Sequence, residues 1–302
     1  MKKKLLILSA LFLFVVVTLF SQGSSIDETF WTKLNPVFSG SQYVMDRETC
    51  ISCHSLETTA YEHTKHSRIF KLNPKTKLEK VDCEACHGPR SAHIENPDKR
   101  FAITDDQYSL VCEQCHKGGD RMYWSNSLHK SANVNCVTCH SVMEKKSSTA
   151  LLSKKTELEL CSTCHTDVTS KAMRMSSHPI KEGKMECSSC HNVHGAPGTG
   201  SLTKATSNET CYTCHQEKRG PFIWEHAPVR EDCKTCHDPH GSNNKSMLVT
   251  QNASLCVSCH QYGGHINQYR YNRVSTPYGN GCVNCHTTIH GSNHPSGVKF
   301  TR

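Results

Sequence analysis

Two cysteines three positions apart, followed at once by a histidine, form a pattern that accounts for every cysteine of this chain. The 302 residues include 20 cysteines and 21 histidines. Residues of these types at this spacing could form disulfides, bind a metal or attach a cofactor. The pattern occurs ten times, as Cys50/Cys53/His54, Cys83/Cys86/His87, Cys112/Cys115/His116, Cys136/Cys139/His140, Cys161/Cys164/His165, Cys187/Cys190/His191, Cys211/Cys214/His215, Cys233/Cys236/His237, Cys256/Cys259/His260 and Cys282/Cys285/His286.

The C-x-x-C-H pattern is the attachment signature of c-type haem. Its two thiols reach the two vinyl groups on one edge of a porphyrin, and the adjacent histidine supplies an axial nitrogen to the iron. Disulfides, zinc ribbons and thioredoxin-like motifs also use cysteine pairs, but none of them requires a histidine after every pair. The sequence therefore predicts ten covalently bound haem c groups, each with one iron.

The motifs recur in pairs, which define five two-haem units starting near residues 50, 112, 161, 211 and 256. Each unit contains a first motif, a lone histidine, a second motif and a trailing position. The lone histidines are His66, His129, His178, His226 and His265. The trailing positions are His93, Met143, His194, His240 and His290.

Ten six-coordinate irons need ten distal ligands in addition to the ten motif histidines. Eleven histidines remain outside the motifs, so most of them are expected to bind iron. His63 is spare, or it exchanges roles with His66 three residues away. The expected distal ligands are His66, His93, His129, His178, His194, His226, His240, His265, His290 and His294.

Met143 occupies a trailing position where the other units have histidine. Two interpretations are open. Met143 is the distal ligand of one haem and His294 is spare, or all ten haems are bis-histidine and Met143 packs against a porphyrin edge. The sequence favours the second interpretation, because a polar run, Glu144 to Ser148, follows Met143 and indicates exposure.

The composition leaves few residues for a protein core, with a hydrophobic fraction of 36% and an aromatic fraction of 7%. We therefore expect a multihaem cytochrome c fold whose core is made of porphyrins. Short α-helices and loops with very little β structure should form an elongated array of the five two-haem units. A helix is expected within residues 148–165, and Trp124 and Trp224 are expected to pack on haem.

The N-terminus has the features of a secretory signal peptide, with three lysines, an apolar run from Leu5 to Phe20 and small residues after it. Sixteen apolar residues are short for a membrane span, which needs about 20. We expect residues 1–23 to be removed and residues 24–302 to form the decahaem domain. The alternative is an uncleaved membrane anchor.

The formal net charge is +8, and removal of the signal peptide would lower it to about +5 by taking away three lysines. Ten ferric haems with ionised propionates would contribute about −10 and bring the total to about −5. The basic residues are therefore expected to pair with propionates and to keep the protein soluble. A nucleic-acid partner is not expected.

Three stretches resemble the MtrA/DmsE-type family of periplasmic decahaem c-type cytochromes: EKRGPFIWEHAPV at 217–229, CHDPHGS at 236–242 and HGSNHPSG at 290–297. The resemblance implies a periplasmic protein seated in an MtrB-like outer-membrane β-barrel. It also implies electron relay between periplasmic cytochrome donors and a cell-surface multihaem cytochrome or extracellular reductase. In that family the trailing position of the second unit can be histidine, so Met143 is a departure.

The expected function is electron transfer in extracellular respiration, without a catalytic site. One alternative is a multihaem enzyme, such as a nitrite or hydroxylamine converter, which needs an iron with an open coordination position. Another is a quinol dehydrogenase that uses Leu5 to Phe20 as its anchor.

Overall fold

The computed structural model describes residues 26–260 and 281–301, which fold into two bodies. The first body contains the chain up to Lys117 together with Asn135–Lys155. The second contains Gly118–Val134 and the chain from Thr156 onward. Each body therefore combines stretches that are not contiguous in sequence. The predicted signal peptide, residues 1–23, lies outside the described residues.

Short α-helices and 3₁₀ turns are the main secondary structure. In the described residues the α-helices are α1 Glu28–Leu34, α2 Arg47–Ile51, α3 Ser55–Tyr61, α4 Lys65–Leu72, α5 Lys77–Lys80, α6 Glu84–His87, α7 Ser91–Glu95, α8 Asp105–Glu113, α9 Leu128–Ser131, α10 Cys136–Cys139, α11 Glu157–Cys161, α12 Thr166–Ala172, α13 Ser207–Tyr212, α14 Ala227–Glu231 and α15 Asn252–Val257. None of these described helices has the length and apolarity needed to span a bilayer.

Threonine side chains determine where many of the helices begin. A threonine at the N-cap of α4, α5, α8, α11 and α13 accepts a hydrogen bond from the backbone N–H three residues on. Such a side chain satisfies one of the free N–H groups of the first turn and favours helix formation by about 1 kcal/mol. The capped helices α8, α11 and α13 carry Cys112, Cys161 and Cys211, so local capping positions the first motif of three units.

An apolar cluster forms the core of the first body. It contains Trp31, Phe38, Phe101 and Val111, and each of them is less than one-tenth exposed. The rings of Trp31 and Phe38 lie 5.0 Å apart, and the rings of Phe38 and Phe101 lie 5.2 Å apart. The Arg90 guanidinium lies 4.8 Å from the Phe101 ring centroid. The first body therefore has a small apolar core of side chains in addition to the predicted porphyrins.

Gly88 lies directly after the second motif and against this cluster. Its φ is +77°, a conformation that residues with a Cβ rarely adopt. A Cβ there would lie 2.7 Å from the rings of both Trp31 and Phe38. Glycine at this position therefore lets the Cys83–His87 motif approach the aromatic side chains.

The second body has far fewer buried apolar side chains. Among the buried hydrophobic residues in the described part of the chain, only Ala172 and Phe300 belong to it. Isolated bridges join its loops, Ser176 with Ser242 and Trp224 with Ser292. A body of this size with so small an apolar core needs another source of stability, which the predicted covalent haems would provide.

A recurring loop, which we call the closing loop, follows the second motif in units two, three and four. A single antiparallel bridge closes each loop, from the motif histidine to a leucine: His140 with Leu152, His191 with Leu202 and His237 with Leu248. The described residues contain such isolated bridges and no longer strands. The predicted fold class, short helices and loops around paired C-x-x-C-H motifs with very little β structure, is confirmed.

Candidate haem sites

The ten C-x-x-C-H motifs share one backbone geometry. In every motif the histidine N–H donates to the carbonyl of the first cysteine, at 2.8–3.0 Å. This single helical turn brings both thiols and the imidazole to one side of the backbone. None of the twenty cysteines is paired in a disulfide. All thirty side chains are thus available in the arrangement that c-type haem attachment requires.

The two motifs of each unit meet at their first cysteines. In all five units these two thiols lie close enough for one to shift the pKa of the other, in the pairs Cys50–Cys83, Cys112–Cys136, Cys161–Cys187, Cys211–Cys233 and Cys256–Cys282. The neighbouring Cys83 thiol lowers the pKa of Cys50 to about 7. The contact recurs with the same partners in every unit, so it is a property of the repeat.

The second cysteines differ in how far protein side chains cover them. Six of them are exposed: Cys53, Cys115, Cys164, Cys214, Cys259 and Cys285. Five of these six belong to the first motif of their unit, and Cys285 belongs to the second motif of the last unit. Protein side chains therefore cover the second cysteine less in first motifs than in second motifs.

The closing loop explains why other second cysteines are better covered. Cys139, Cys190 and Cys236 are half-buried, and each carbonyl accepts a backbone N–H from its closing loop, at 2.8–3.0 Å. In the described residues this loop follows second motifs, so it covers no first motif.

Side chains near the first motif of a unit bind the backbone at the start of the second motif. Ser109 Oγ accepts the backbone N–H of Cys136 at 3.2 Å, and Asn208 Oδ1 accepts that of Cys233 at 2.7 Å. Each acceptor lies on the helix that carries the first cysteine of its unit. In the first unit, Arg47 on α2 donates instead to Asp82, the residue before Cys83.

Histidines lie in pairs at the separation that one iron requires. Metal–imidazole bonds are about 2.0–2.1 Å long, so two imidazoles on opposite faces of one iron have ring centroids about 6 Å apart. Seven pairs of a motif and a non-motif histidine have centroid separations of 5.9–6.4 Å: His54–His93, His116–His66, His165–His129, His215–His178, His191–His240, His260–His226 and His237–His290. The residues present therefore fit bis-histidine haem.

The pairing follows a rule along the chain. In units two to five, the first-motif histidine faces the lone histidine of the preceding unit, as His215 faces His178. The second-motif histidine of units three and four faces the trailing histidine of the following unit, as His191 faces His240. His54 has no preceding unit, and it faces His93 of its own unit. The sequence did not predict this exchange of ligands between units.

His286, the second-motif histidine of the last unit, is outside these seven pairs. Within the five units, the pairing rule gives it no trailing partner. The lone histidine of its own unit, His265, lies outside the described residues. His286 is half-buried, and its Nδ1 contacts the carbonyl oxygen of Lys299. This contact leaves its Nε2 free of the ring proton, so binding of iron by His286 stays a prediction that its tautomer supports.

Backbone carbonyls fix the orientation of many other imidazoles in the same way. Nδ1 of the non-motif histidines His93, His129 and His178 lies 2.9–3.1 Å from a carbonyl oxygen. The motif histidines His140, His191 and His237 have equivalent contacts in their closing loops. A carbonyl only accepts, so Nδ1 carries the proton and the Nε2 lone pair remains for iron.

Burial keeps several of the predicted ligand histidines in the neutral form that binds a metal. It lowers the pKa of His66 and of His226, whose neighbours also include the motif histidines His116 and His260. It lowers the pKa of His87 to about 4. These histidines are neutral at physiological pH before any metal is bound.

The remaining predicted positions differ in how far the structure describes them. His66, not His63, faces His116, and His63 is exposed in the turn between α3 and α4. His294 is exposed near the C-terminus. The ring of His194 lies 6.2 Å from that of Trp124, whose buried indole N–H has no hydrogen-bond partner among the described residues.

Models of two known families match parts of the chain. The doubled CXXCH motif family matches residues 129–170, 178–220 and 226–264. The cytochrome c554 and c-prime family matches residues 33–88. Both matches support haem c attachment through the C-x-x-C-H motifs, as predicted.

Two curated relatives extend the comparison. The multiheme cytochrome MtrA of Shewanella baltica is 40% identical over 271 residues, which cover 84% of this chain and 81% of the relative. The cytochrome c-type protein NrfB of Escherichia coli O6:H1 is 30% identical over 126 residues, covering 39% of this chain and 64% of the relative. With its paired haem motifs and this identity over most of its length, the chain belongs to the MtrA family of multihaem c-type cytochromes.

Proposed function

We propose that this protein is an electron carrier that holds ten haem c groups, one at each C-x-x-C-H motif, and has no catalytic site of its own. The motif histidines are the proximal ligands. Nine distal ligands are His66, His93, His129, His178, His194, His226, His240, His265 and His290. Of these, His265 would serve the haem of His286, because the pairing rule assigns each of the others to a different motif. The tenth distal ligand is considered in the next subsection.

Contact between the first cysteines of paired motifs carries this proposal. A thioether bond fixes a porphyrin edge to its sulfur, and the first cysteines of the two motifs are neighbours in all five units. The attached edges of two haems are thereby brought together in each unit. Haem supplies the one-electron chemistry, and the protein sets the position and potential of each group.

Histidines on both faces favour a carrier over an enzyme. Seven pairs have the spacing of a six-coordinate iron, which leaves no position for a substrate. Nδ1 contacts with carbonyls, such as that of His178 with Pro239, orient the ring and strengthen its nitrogen as a donor. Such fixed ligation also limits the rearrangement that accompanies a change of oxidation state.

The proposed route runs from periplasmic cytochrome donors to an acceptor at or beyond the outer membrane. An MtrB-like β-barrel would surround the carrier, and a cell-surface multihaem cytochrome or extracellular reductase would accept the electrons. Membership of the MtrA family supports these partners. A chain of short helices and loops cannot expose its backbone to lipid, which is a physical reason for a protein sheath.

Haem counting and spectroscopy test the proposal on the exported full-length protein. Intact mass and iron content should give ten haems per chain. Ferric EPR should show low-spin iron only, and reduced protein should be reoxidised by a soluble electron acceptor but not turn over nitrite or hydroxylamine. Fewer than ten haems would overturn the count. High-spin iron with nitrite or hydroxylamine turnover would overturn the carrier assignment.

A vesicle assay tests the partner. Liposomes that contain the barrel and the carrier, with a redox dye inside, should oxidise or reduce the dye when only the outside solution holds the electron donor or acceptor. Liposomes with the barrel alone are the control. Equal rates in the two preparations would contradict the proposed route.

A further inference from the structure

Applied to His87, the rule that pairs the histidines gives Met143 as its partner. In the two cases observed, the second-motif histidine faces the trailing residue of the following unit: His191 faces His240, and His237 faces His290. His87 is the second-motif histidine of the first unit. The trailing residue of the second unit is Met143, which belongs to the same body as His87.

The backbone leading to Met143 matches that leading to His194 and His240. All three are the third residue after a motif histidine that forms a bridge to a leucine. The residue after that histidine donates to the opposite chain in each loop: Ser141 to Leu151 at 2.8 Å, Asn192 to Ser201 at 2.7 Å and Asp238 to Met247 at 2.8 Å. Met143 therefore occupies the position after the bridge at which the other two units have a predicted histidine ligand.

The three loops differ just after this point. Gly195 and Gly241 have φ of +106° and +124°, and their N–H groups close a turn onto Asn192 and Asp238. The second unit has Glu144 there, and residues with a Cβ rarely adopt such a conformation. Lys146 N–H donates to the Glu144 carbonyl instead. The backbone conformations of the three loops differ only after Met143, so Met143 itself keeps the position that the trailing histidines have in the other two loops.

His294 has the wrong tautomer for an iron ligand. Its Nδ1 accepts a hydrogen bond from the backbone N–H of Ser296 at 3.1 Å. Nδ1 is therefore unprotonated, and the proton of the neutral ring is on Nε2. Where Nδ1 of a non-motif histidine contacts a carbonyl, as in His178, the opposite tautomer leaves the Nε2 lone pair for iron.

Exposure does not distinguish Met143 from the trailing histidines. Met143 is 36% exposed as a whole residue, and 37% of the side chain of His240, which faces His191, is exposed, so each position leaves part of its surface open for a neighbouring group. The polar run after Met143 is thus no argument against ligation. Counting agrees as well, since the lone and trailing positions of the five units supply ten distal ligands when Met143 is included, with His63 and His294 spare.

We infer that Met143 is the distal ligand of the haem attached at Cys83 and Cys86, so that this carrier has one histidine–methionine iron. The inference rests on the haem attachment proposed above. A thioether ligand favours ferrous iron and raises the reduction potential of its haem. The motif lies against the apolar cluster of the first body through Gly88, and apolar surroundings also disfavour the extra charge of the ferric state.

Near-infrared magnetic circular dichroism of the oxidised protein separates the two kinds of ligation, because ferric His/Met and His/His haems have charge-transfer bands at different energies. The wild-type protein should show one His/Met haem among ten. Met143→His should convert it to His/His, and Met143→Ala should give one high-spin iron in EPR. His294→Ala should leave both spectra unchanged.

Haem-deletion variants locate the methionine-ligated iron. Cys83→Ala/Cys86→Ala should hold nine haems and lose the His/Met band, whereas the matched variant Cys187→Ala/Cys190→Ala should hold nine and keep it. A purely His/His wild-type spectrum would overturn the inference, and new high-spin iron in His294→Ala or His63→Ala would name the ligand that replaces Met143. Fewer than ten haems in the wild-type protein would instead contradict the proposed function.

Discussion

The imidazoles of His191 and His240 lie nearly parallel, with centroids 6.1 Å apart and an interplanar angle of 13°. His191 belongs to the third two-haem unit and His240 to the fourth. In the proposed ligation, a haem attached to one unit would take its distal ligand from the next. Since each unit would then complete the haem of a neighbour, we expect neighbouring units to depend on one another for stability, as in other repeat proteins.

His240→Ala tests this exchange of ligands. We expect the variant to keep ten haems, because both cysteines of every motif remain, and to have one high-spin iron. That iron should be the haem at Cys187 and Cys190, not the haem of the same unit as His240. Deleting the haem at Cys187 and Cys190 in the same variant should remove the high-spin EPR signal. Persistence of that signal would show that His240 serves another haem.

Gly241, directly after His240, lies closer to the backbone of Lys171 than a larger residue could. Its φ is +124°, and a Cβ would lie 2.3 Å from the Lys171 carbonyl oxygen. Backbone strain and overpacking each cost about 1–3 kcal/mol, so we expect Gly241→Ala to lower the thermal midpoint clearly. The backbone must move to relieve this contact, and the movement also displaces His240, so one high-spin iron should appear in EPR.

Gly200→Ala is the matched control for this change. Gly200 has φ of +64°, and nothing lies within 4 Å of the position where its Cβ would be. The substitution should cost only about 1 kcal/mol, from the left-handed conformation alone, and leave all iron low-spin. Equal midpoints for the two variants would contradict the close approach at Gly241.

The Arg47–Asp82 ion pair joins the two motifs of the first unit. The two side chains are 11% and 17% exposed, and Nη2 donates to Oδ1 at 2.9 Å. Removing one partner leaves the other charge largely buried, so Arg47→Ala should lower the free energy of unfolding by about 3 kcal/mol. The measurement is urea unfolding of the haem-loaded protein.

An exposed pair of the same type is the control. Arg230 and Glu225 lie 3.2 Å apart with exposures of 71% and 39%. Because solvent screens such a pair, Arg230→Ala should cost less than about 1 kcal/mol. A loss at Arg47 no larger than that at Arg230 would show that the first pair does not hold the motifs together.

The chemistry of the haem sites was predictable from the sequence because it is local. One turn of backbone closes each C-x-x-C-H motif, so spacing alone determines which side chains meet. The partner of each motif histidine was not predictable in this way. His66 faces His116, which is fifty residues away in sequence, and a count of histidines contains no information about such distant contacts.

The core of the first body was missed for a similar reason. Trp31 and Phe38 precede the first motif and meet Phe101, which lies between the first and second units. Trp31, Leu34 and Phe38 have a helical spacing, but Phe101 follows Phe38 only after 63 residues, so no local period links it to them. The proposed choice of Met143 over His294 also depends on a contact that the sequence does not reveal, the hydrogen bond that the Ser296 N–H donates to His294.

Asp238 should make the stability of the second body depend on pH. Burial by itself raises the pKa of this carboxyl, but hydrogen bonds from Lys171 Nζ, at 2.7 Å, and from the His240 N–H outweigh it and hold the pKa below its ordinary 3.8. The stabilisation is therefore complete above the ordinary pKa and is lost as pH falls through the lower value of the folded state. Because Lys171 is 37% exposed, we expect Asp238→Asn to cost only about 1 kcal/mol at pH 7.

The test compares the thermal midpoints of Asp238→Asn and the wild type at pH 7 and again below pH 3. Protonation of Asp238 makes the wild type resemble the variant, so the difference between them should shrink at the lower pH. Other carboxyls titrate in both proteins, and their effect cancels in the difference. Lys171→Ala should give a similar loss at pH 7, and the double variant should lose less than the sum of the two single changes, since both remove the same pair. A difference that is equal at both pH values would mean that the charge of Asp238 does not contribute.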